Sequence, residues 1–271
     1  MNMLLTLRIS IILPVLIAIT PAIAGNKNKD LTIQVSHRDV HIQYPQGEVK
    51  GTILMLPGWN FPASKTCENS TFCKQALEAG FVLISPEMGK SLYASAVYPE
   101  TRKDWAAFPQ MRFLTDSLQP YLQKTYHLLE AGGNNFVYGI STGARGGALL
   151  LERTNNIYRA GALLSGDYDQ CLDPTDNLMN SYYGAYATYK ERWEGADNPA
   201  RQASRITCPL YLGHGTADAV VLCNQTVNFC KVLQDLGKKP VFTPKEKAGH
   251  NYSFWGGETQ SILQFFSMCL K

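Results

Sequence analysis

Three residues are best equipped for chemistry in this chain, and they occur in the order serine, carboxylate, histidine: Ser141, Asp218 and His250. A serine hydroxyl is a weak nucleophile until a positioned base removes its proton, and that base needs a third group to orient it. Brought together, the three perform acyl transfer: the serine attacks a carbonyl, an acyl-enzyme forms, and water releases it through the same base. Ser141 lies in Gly139-Ile140-Ser141-Thr142-Gly143, a G-x-S-x-G match in which the serine occupies a sharp strand-to-helix turn. Small residues let the backbone fold that tightly, hence a glycine two positions to either side. Alone the pattern is weak, since chance supplies it in roughly one chain of ten. Asp218 closes Gly213-His214-Gly215-Thr216-Ala217-Asp218, and His250 lies in Ala248-Gly249-His250-Asn251.

Each assignment has a competitor. Asp167, Asp169 and Asp173 also follow the end of an apolar stretch, and Asp218 could instead be a loop or helix-cap carboxylate. His214 rivals His250, but a histidine at a strand end is more often structural, which favours His250. Trp255 and the tyrosines of residues 166–207 could meet substrate, although aromatic residues are more often packing. Asn251-Tyr252-Ser253 fits a glycosylation sequon. A glycan beside His250 would block the site, so the match is read as coincidence.

The elements that must position these residues alternate between strands and helices. Two extended segments, 31–36 and 39–44, come first. The apolar run Gly51 to Leu56 reads as a strand buried on both faces, followed by a helix near 72–79, a strand at 81–85 and a loop from 86 to 104. Phe113, Leu114, Leu118, Tyr121 and Leu122 mark one apolar helical face. Asn135 to Tyr138 is a short buried strand leading into the serine turn, and Ala144 to Arg153 is the helix that leaves it. Gly146 and Gly147 weaken that helix, so it must pack closely against the sheet. Strands at 160–164, 209–213 and 240–243 follow, with helices through Phe229–Leu236 and 259–270. The fold class is therefore α/β, a mainly parallel twisted sheet with helices on both faces. Residues 166–207 exceed an ordinary crossover. Above the carboxyl ends of the strands they would form a cap over the site; extra surface helices packed through their rings are an equal alternative.

At this point the chain resembles the α/β-hydrolase superfamily, particularly its esterase, dienelactone-hydrolase-like and prolyl-oligopeptidase-like branches. The resemblance rests on Leu56-Pro57-Gly58-Trp59, the Gly139–Gly143 turn and Asn198-Pro199-Ala200-Arg201. Gly213 to Asp218 with Val220-Val221, and Gly249-His250, complete it, and it spans about residues 50–268. It implies Ser141 as nucleophile, His250 as general base and then acid, and Asp218 as the group that fixes the imidazole. It also implies an oxyanion hole made by the backbone N–H groups of Thr142 and Trp59. Pro57 stands where many members carry histidine, and the loop lacks a run of three glycines.

The remaining features bound the setting. Arg8, the apolar run Ile9–Ile19 and Ala22-Ile23-Ala24 predict a signal peptide over 1–24, leaving 25–271 as a single domain that is secreted or periplasmic. An uncleaved membrane anchor is the alternative, but the run is short for a bilayer span. The chain of 271 residues carries 25 Lys and Arg against 22 Asp and Glu, too even a balance to indicate nucleic acid or an anionic membrane as partner. Seven cysteines in an oxidising compartment should partly pair, leaving at least one over. Cys67 and Cys73 can close a small loop, whereas Cys223 and Cys230 cannot pair if both are helical. No C-x-x-C or neighbouring histidine supports a metal, and no cofactor is expected. The expected function is an exported serine hydrolase acting on small or polymer-borne carboxylic esters. A peptidase of the prolyl-oligopeptidase type, or an acyltransferase, are the alternatives on the same three residues. About 25 residues ahead of the core strands are too few for the large amino-terminal domain such peptidases carry. A non-catalytic binding protein on the same fold would be expected to have lost one of the three.

Overall fold

In the computed structural model, residues 30–105 and 108–271 are described; the expected signal peptide lies outside them. Eight strands form one sheet in the order β1-β2-β4-β3-β5-β6-β7-β8. They run Leu31–Val35, Arg38–Gln43, Gly51–Leu56, Phe81–Pro86, Asn135–Ile140, Ala160–Leu164, Leu210–Gly215 and Val241–Lys245 in chain order. β1, β2 and β4 pair antiparallel, and every pairing from β4 through β3 to β8 is parallel. The β1–β2 turn is two residues long, Ser36 and His37, both with positive φ (47° and 62°). That is the turn geometry whose twist suits a hairpin.

The apolar runs divide between two layers because successive side chains point to opposite faces. Leu54, Leu56, Val137, Leu163 and Leu212 pack with Leu149 and Phe229 on one face. Ile53, Met55, Phe136, Tyr138, Ala162 and Leu164 pack with Phe72, Ile262 and Phe266 on the other. The helix Thr142–Leu151 covers the first face; Phe72–Glu78, Tyr252–Gly257 and Thr259–Met268 cover the second. The two helical glycines are contact points. A Cβ at Gly147 would strike Leu163 of β6, and one at Gly146 would strike the Tyr93 ring.

Some boundaries differ from the sequence expectation. The helix expected around 113–122 runs unbroken from Gln110 to Tyr126, with a wider π-turn over Phe113–Leu118. The short helix Tyr252–Gly257, capped by the Asn251 side chain on the Phe254 amide, is unannounced by any long periodicity. Asn251 is thus the helix cap directly after His250. Residues 166–207 contain helices Asn177–Tyr183, Lys190–Glu194 and Pro199–Gln202. Together with the loop residues 87–105 they enclose a third apolar cluster around Leu92, Met179, Tyr182, Tyr183 and Trp193. Tyr168, Tyr182 and Tyr183 are buried, so these rings are packing. Cys67 and Cys73 form a disulfide. Cys171, Cys208, Cys223, Cys230 and Cys269 are free thiols.

Candidate active site

The carboxyl ends of β5, β6, β7 and β8 converge, and the loops leaving them carry the three candidate residues. Ser141 follows β5 directly with φ 55° and ψ −126°, a conformation that costs a non-glycine residue about 1–3 kcal/mol. The strain is held from both sides. The Ser141 amide donates to the Leu164 carbonyl of β6 at 2.8 Å, and its carbonyl accepts from Ala144 at 2.9 Å. The flanking glycines are steric requirements: a Cβ at Gly139 would overlap the Gly143 carbonyl, and one at Gly143 would overlap that of Leu56.

His250 and Asp218 complete a continuous hydrogen-bonded chain. His250 Nε2 lies 2.9 Å from Ser141 Oγ, and its Nδ1 lies 2.7 Å from Asp218 Oδ2. A carboxylate only accepts, so Nδ1 carries the proton and Nε2 is left to accept the serine hydroxyl. The Val220 and Val221 amides each donate to Asp218 Oδ1 at 2.9 Å. Burial pushes the Asp218 carboxyl up, but hydrogen bonds from His214, His250 and the Val221 amide reverse that and hold it well below the usual carboxylate range. Asp218 is thus kept ionised next to an imidazole that must become cationic when it takes the serine proton. The indole of Trp255 packs edge-on to the His250 ring, centroids 5.0 Å apart, while its Nε1 donates to Ser165 Oγ at 3.1 Å. Trp255 is therefore a support for the imidazole.

The competing residues fall into other roles. His214 is fully buried. Its Nε2 donates to the Val221 carbonyl at 2.8 Å and sits 3.3 Å from Asp218 Oδ2, and its Nδ1 accepts from Thr226 Oγ1 at 2.6 Å. It braces the carboxylate from behind. Asp169 takes the Asn198 amide and the Cys171 N–H, and Asp173 closes a turn on Thr175. Asp167 lies against Arg145. Asp218 is the carboxylate within hydrogen-bond reach of His250.

The loop after β3 stands over the serine. Backbone at Gly58 approaches so closely that a Cβ there would lie 3.2 Å from the Ser141 Cβ. Tyr93 anchors this loop by donating its hydroxyl to the Pro57 carbonyl at 2.7 Å, and the Asn60 amide donates to Gly89 at 2.9 Å. Among the described residues, the amides of Thr142, Gly58 and Trp59 donate to no protein acceptor. Thr142 follows Ser141 directly and Gly58 stands against it, so this part of the backbone keeps N–H groups free of protein acceptors, a requirement for oxyanion donors. The Trp59 ring meets Trp105 edge-to-face at 4.8 Å.

Residues invisible as site components in the sequence fix the 166–207 insertion. Arg145, one turn beyond Ser141, is completely buried. Its guanidinium donates to the Leu92 carbonyl, Gln170 Oε1, Tyr183 Oη and the Asp197 carbonyl. Arg153, in the turn that ends this helix, grips the Asp197 carboxylate at 3.1 Å, and Asp197 also accepts from the Ser95 amide. The helix that begins at the candidate nucleophile, with the turn that ends it, is thereby tied to both the 87–105 loop and the 166–207 insertion. No group of three or more His, Cys, Asp or Glu placed to hold a metal occurs among the described residues.

Comparisons with known proteins agree with this architecture. An S-formylglutathione hydrolase from Agrobacterium tumefaciens superposes with a TM-score of 0.72 at 13% identity, over 89% of this chain and 95% of that one. A ferulic acid esterase superposes with a TM-score of 0.66 at 14% identity, over 89% and 97%. An acylaminoacyl peptidase from Pyrococcus horikoshii gives 0.70 at 15% identity, over 90% of this chain but 41% of its own length. No curated protein sequence matches the chain. The sequence model of the prolyl oligopeptidase family matches residues 122–271, more than half the chain and the part that carries Ser141, Asp218 and His250. The chain belongs to the prolyl oligopeptidase family and is a serine hydrolase of the α/β-hydrolase fold.

Proposed function

We propose that this protein cleaves carboxylic esters through an acyl-enzyme on Ser141. His250 takes the Ser141 proton as the oxygen attacks the carbonyl carbon, then delivers it to the leaving alcohol. Asp218 holds the imidazole tautomer and balances the imidazolium, and the amides of Thr142 and Trp59 receive the oxyanion. Water, deprotonated by His250, then releases the acid. The single observation that carries this reading is the relay Asp218 Oδ2–His250 Nδ1 (2.7 Å) and His250 Nε2–Ser141 Oγ (2.9 Å), ending on a serine in strained backbone. The similarity over nearly their whole length to an S-formylglutathione hydrolase and a ferulic acid esterase supports ester over peptide substrates. The family match favours peptide cleavage as the second reading. We further propose that residues 1–24 direct export, consistent with the Cys67–Cys73 disulfide.

The test offers p-nitrophenyl acetate, butyrate and a longer-chain ester to the wild type and to Ser141→Ala. The wild type should turn over at least one ester, and the variant should lose about three orders of magnitude or more in kcat. Equal turnover by both would refute the nucleophile. Labelling by a fluorophosphonate, with no ester turnover but cleavage of peptides, would select the peptidase.

A further inference from the structure

One ionisable side chain at the carboxyl end of the sheet has no part in the relay. Asp167 lies three residues beyond Leu164, whose carbonyl receives the Ser141 amide, so it leaves the sheet beside the candidate nucleophile. Its side chain is 18% exposed, and its Oδ1 is 3.8 Å from Arg145 Nη1, outside hydrogen-bond distance. Oδ1 is itself buried with no hydrogen-bond partner among the described residues. Buried polar atoms are nearly always paired. Arg145 does not close the missing bond: four of its five N–H groups are held by Leu92, Gln170, Tyr183 and Asp197, and Nη1, which carries the fifth, stands 3.8 Å from Oδ1, too far for a hydrogen bond. The surrounding segment adds negative charge: Asp169, Asp173 and Asp176 follow within nine residues, with no lysine or arginine among them.

The geometry of the reaction says which part of a substrate meets Asp167. A tetrahedral intermediate on Ser141 has four substituents: Ser141 Oγ, the oxyanion, the leaving group and the acyl chain. The oxyanion turns toward the Thr142 and Trp59 amides, and the leaving group must lie within reach of His250 Nε2. His250 comes over the sheet end from the face covered by Phe254 and Trp255. Asp167 stands against Arg145, on the helix that covers the opposite face. The acyl chain is therefore the substituent left to run toward Asp167.

We propose that Asp167 is a specificity-determining residue for acyl groups that carry a cationic nitrogen, the carboxylate accepting a hydrogen bond from an ammonium or guanidinium. The proposal rests on the assignment of Ser141 and His250 above.

The experiment compares two matched pairs of p-nitrophenyl esters, alanine against propionate and Nα-acetyl-lysine against Nα-acetylnorleucine, with wild type, Asp167→Asn and Asp167→Glu. In at least one pair the wild type should prefer the cationic ester by about tenfold or more in kcat/KM. Asp167→Asn should bring that ratio to within about threefold of unity while turnover of the neutral ester stays within about threefold of wild type. Asp167→Glu should retain part of the preference, which a merely structural role would not predict. Turnover of the neutral esters with no cationic preference in either pair, or a preference unchanged in Asp167→Asn, would overturn the proposal and leave the hydrolase reading standing. Failure to turn over any ester or to react with a fluorophosphonate would overturn both.

Discussion

Replacing Asp167 with asparagine should stabilise the protein at neutral pH and progressively less in acid. Burial pushes the Asp167 carboxyl up to about 6 from an ordinary 3.8; Arg145 opposes the rise, and Asp176, Asp169 and Asp173 add to it. A carboxyl whose folded value is raised is held more tightly by protons in the fold than in the unfolded chain. Its contribution is whole below about pH 4 and is lost as pH rises through about 6. Above that the ionised carboxylate costs about 3 kcal/mol relative to an exposed one, at about 1.4 kcal/mol for each pH unit of difference. Asparagine does not titrate, so the variant escapes the loss. Between pH 4.5 and pH 7 the stability of Asp167→Asn minus that of wild type should grow by about 2 kcal/mol, then level off. The slope isolates ionisation from any fixed effect of the amide. In a domain of this size it amounts to a relative rise in Tm of roughly 4–8 °C. Thermal unfolding of both proteins at half-unit pH steps measures it. A difference that is constant over that range, or that shrinks as pH rises, refutes the reasoning. A carboxylate kept where it costs stability is what a substrate-facing role predicts.

Four further outcomes are expected. Trp59→Pro removes one of the two amides proposed to receive the oxyanion and should lower kcat by about two to three orders of magnitude, whereas Trp59→Ala, which keeps the amide, should lose far less; steady-state kinetics beside circular dichroism of the folded variants decides. Gly143→Ala forces a methyl group into the Leu56 carbonyl and should cost more than about 3 kcal/mol in denaturant unfolding. His214→Ala strips a buried brace from Asp218 and should cost about 2–4 kcal/mol, with kcat falling while KM changes little. Opening the Cys67–Cys73 bridge, which closes a short loop, should cost about 2 kcal/mol, measured as a drop in Tm of Cys67→Ser/Cys73→Ser without loss of specific activity.

What the sequence discloses is set by how local the physics is. The strand Gly51–Leu56 was legible because a strand buried on both faces needs an unbroken apolar run, and the serine turn because its backbone tolerates only glycine at 139 and 143. The order Ser141, Asp218, His250 was legible because each follows its own strand. Arg145 was not legible. A single arginine in an apolar helix reads as a surface residue, and its burial depends on carbonyls and side chains contributed by residues 92, 170, 183 and 197. Neither periodicity nor spacing carries that information. His214 lay between: its place at a strand end read as structural, but its hydrogen bonds to Thr226 and Val221 needed the loop to be built. The helix Tyr252–Gly257 was missed because six residues are too few to show a period.

Arg145 also bears on how the site admits substrate. A lid that opens must leave few buried groups unpaired when it moves, since each unpaired polar group costs about 1–3 kcal/mol and an unpaired buried charge more. Lifting the 166–207 insertion would strip the Arg145 guanidinium of Gln170, Tyr183 and Asp197 at once and would part Arg153 from the Asp197 carboxylate. The sum, about 4–12 kcal/mol, is comparable with the whole stability of a domain, far more than a loop opening ordinarily costs. The insertion is accordingly a fixed wall. Selectivity must then come from side chains already in place, which is why an unpaired carboxylate oxygen at Asp167 carries more weight here than it would beneath a mobile cap. Arg145→Met should release that wall: protease cleavage within 166–207 should accelerate well before global unfolding, while the relay distances at Ser141, set by β5, β7 and β8, keep residual ester turnover measurable. Cleavage at the wild-type rate in the folded variant would show that the insertion is held by its apolar cluster alone.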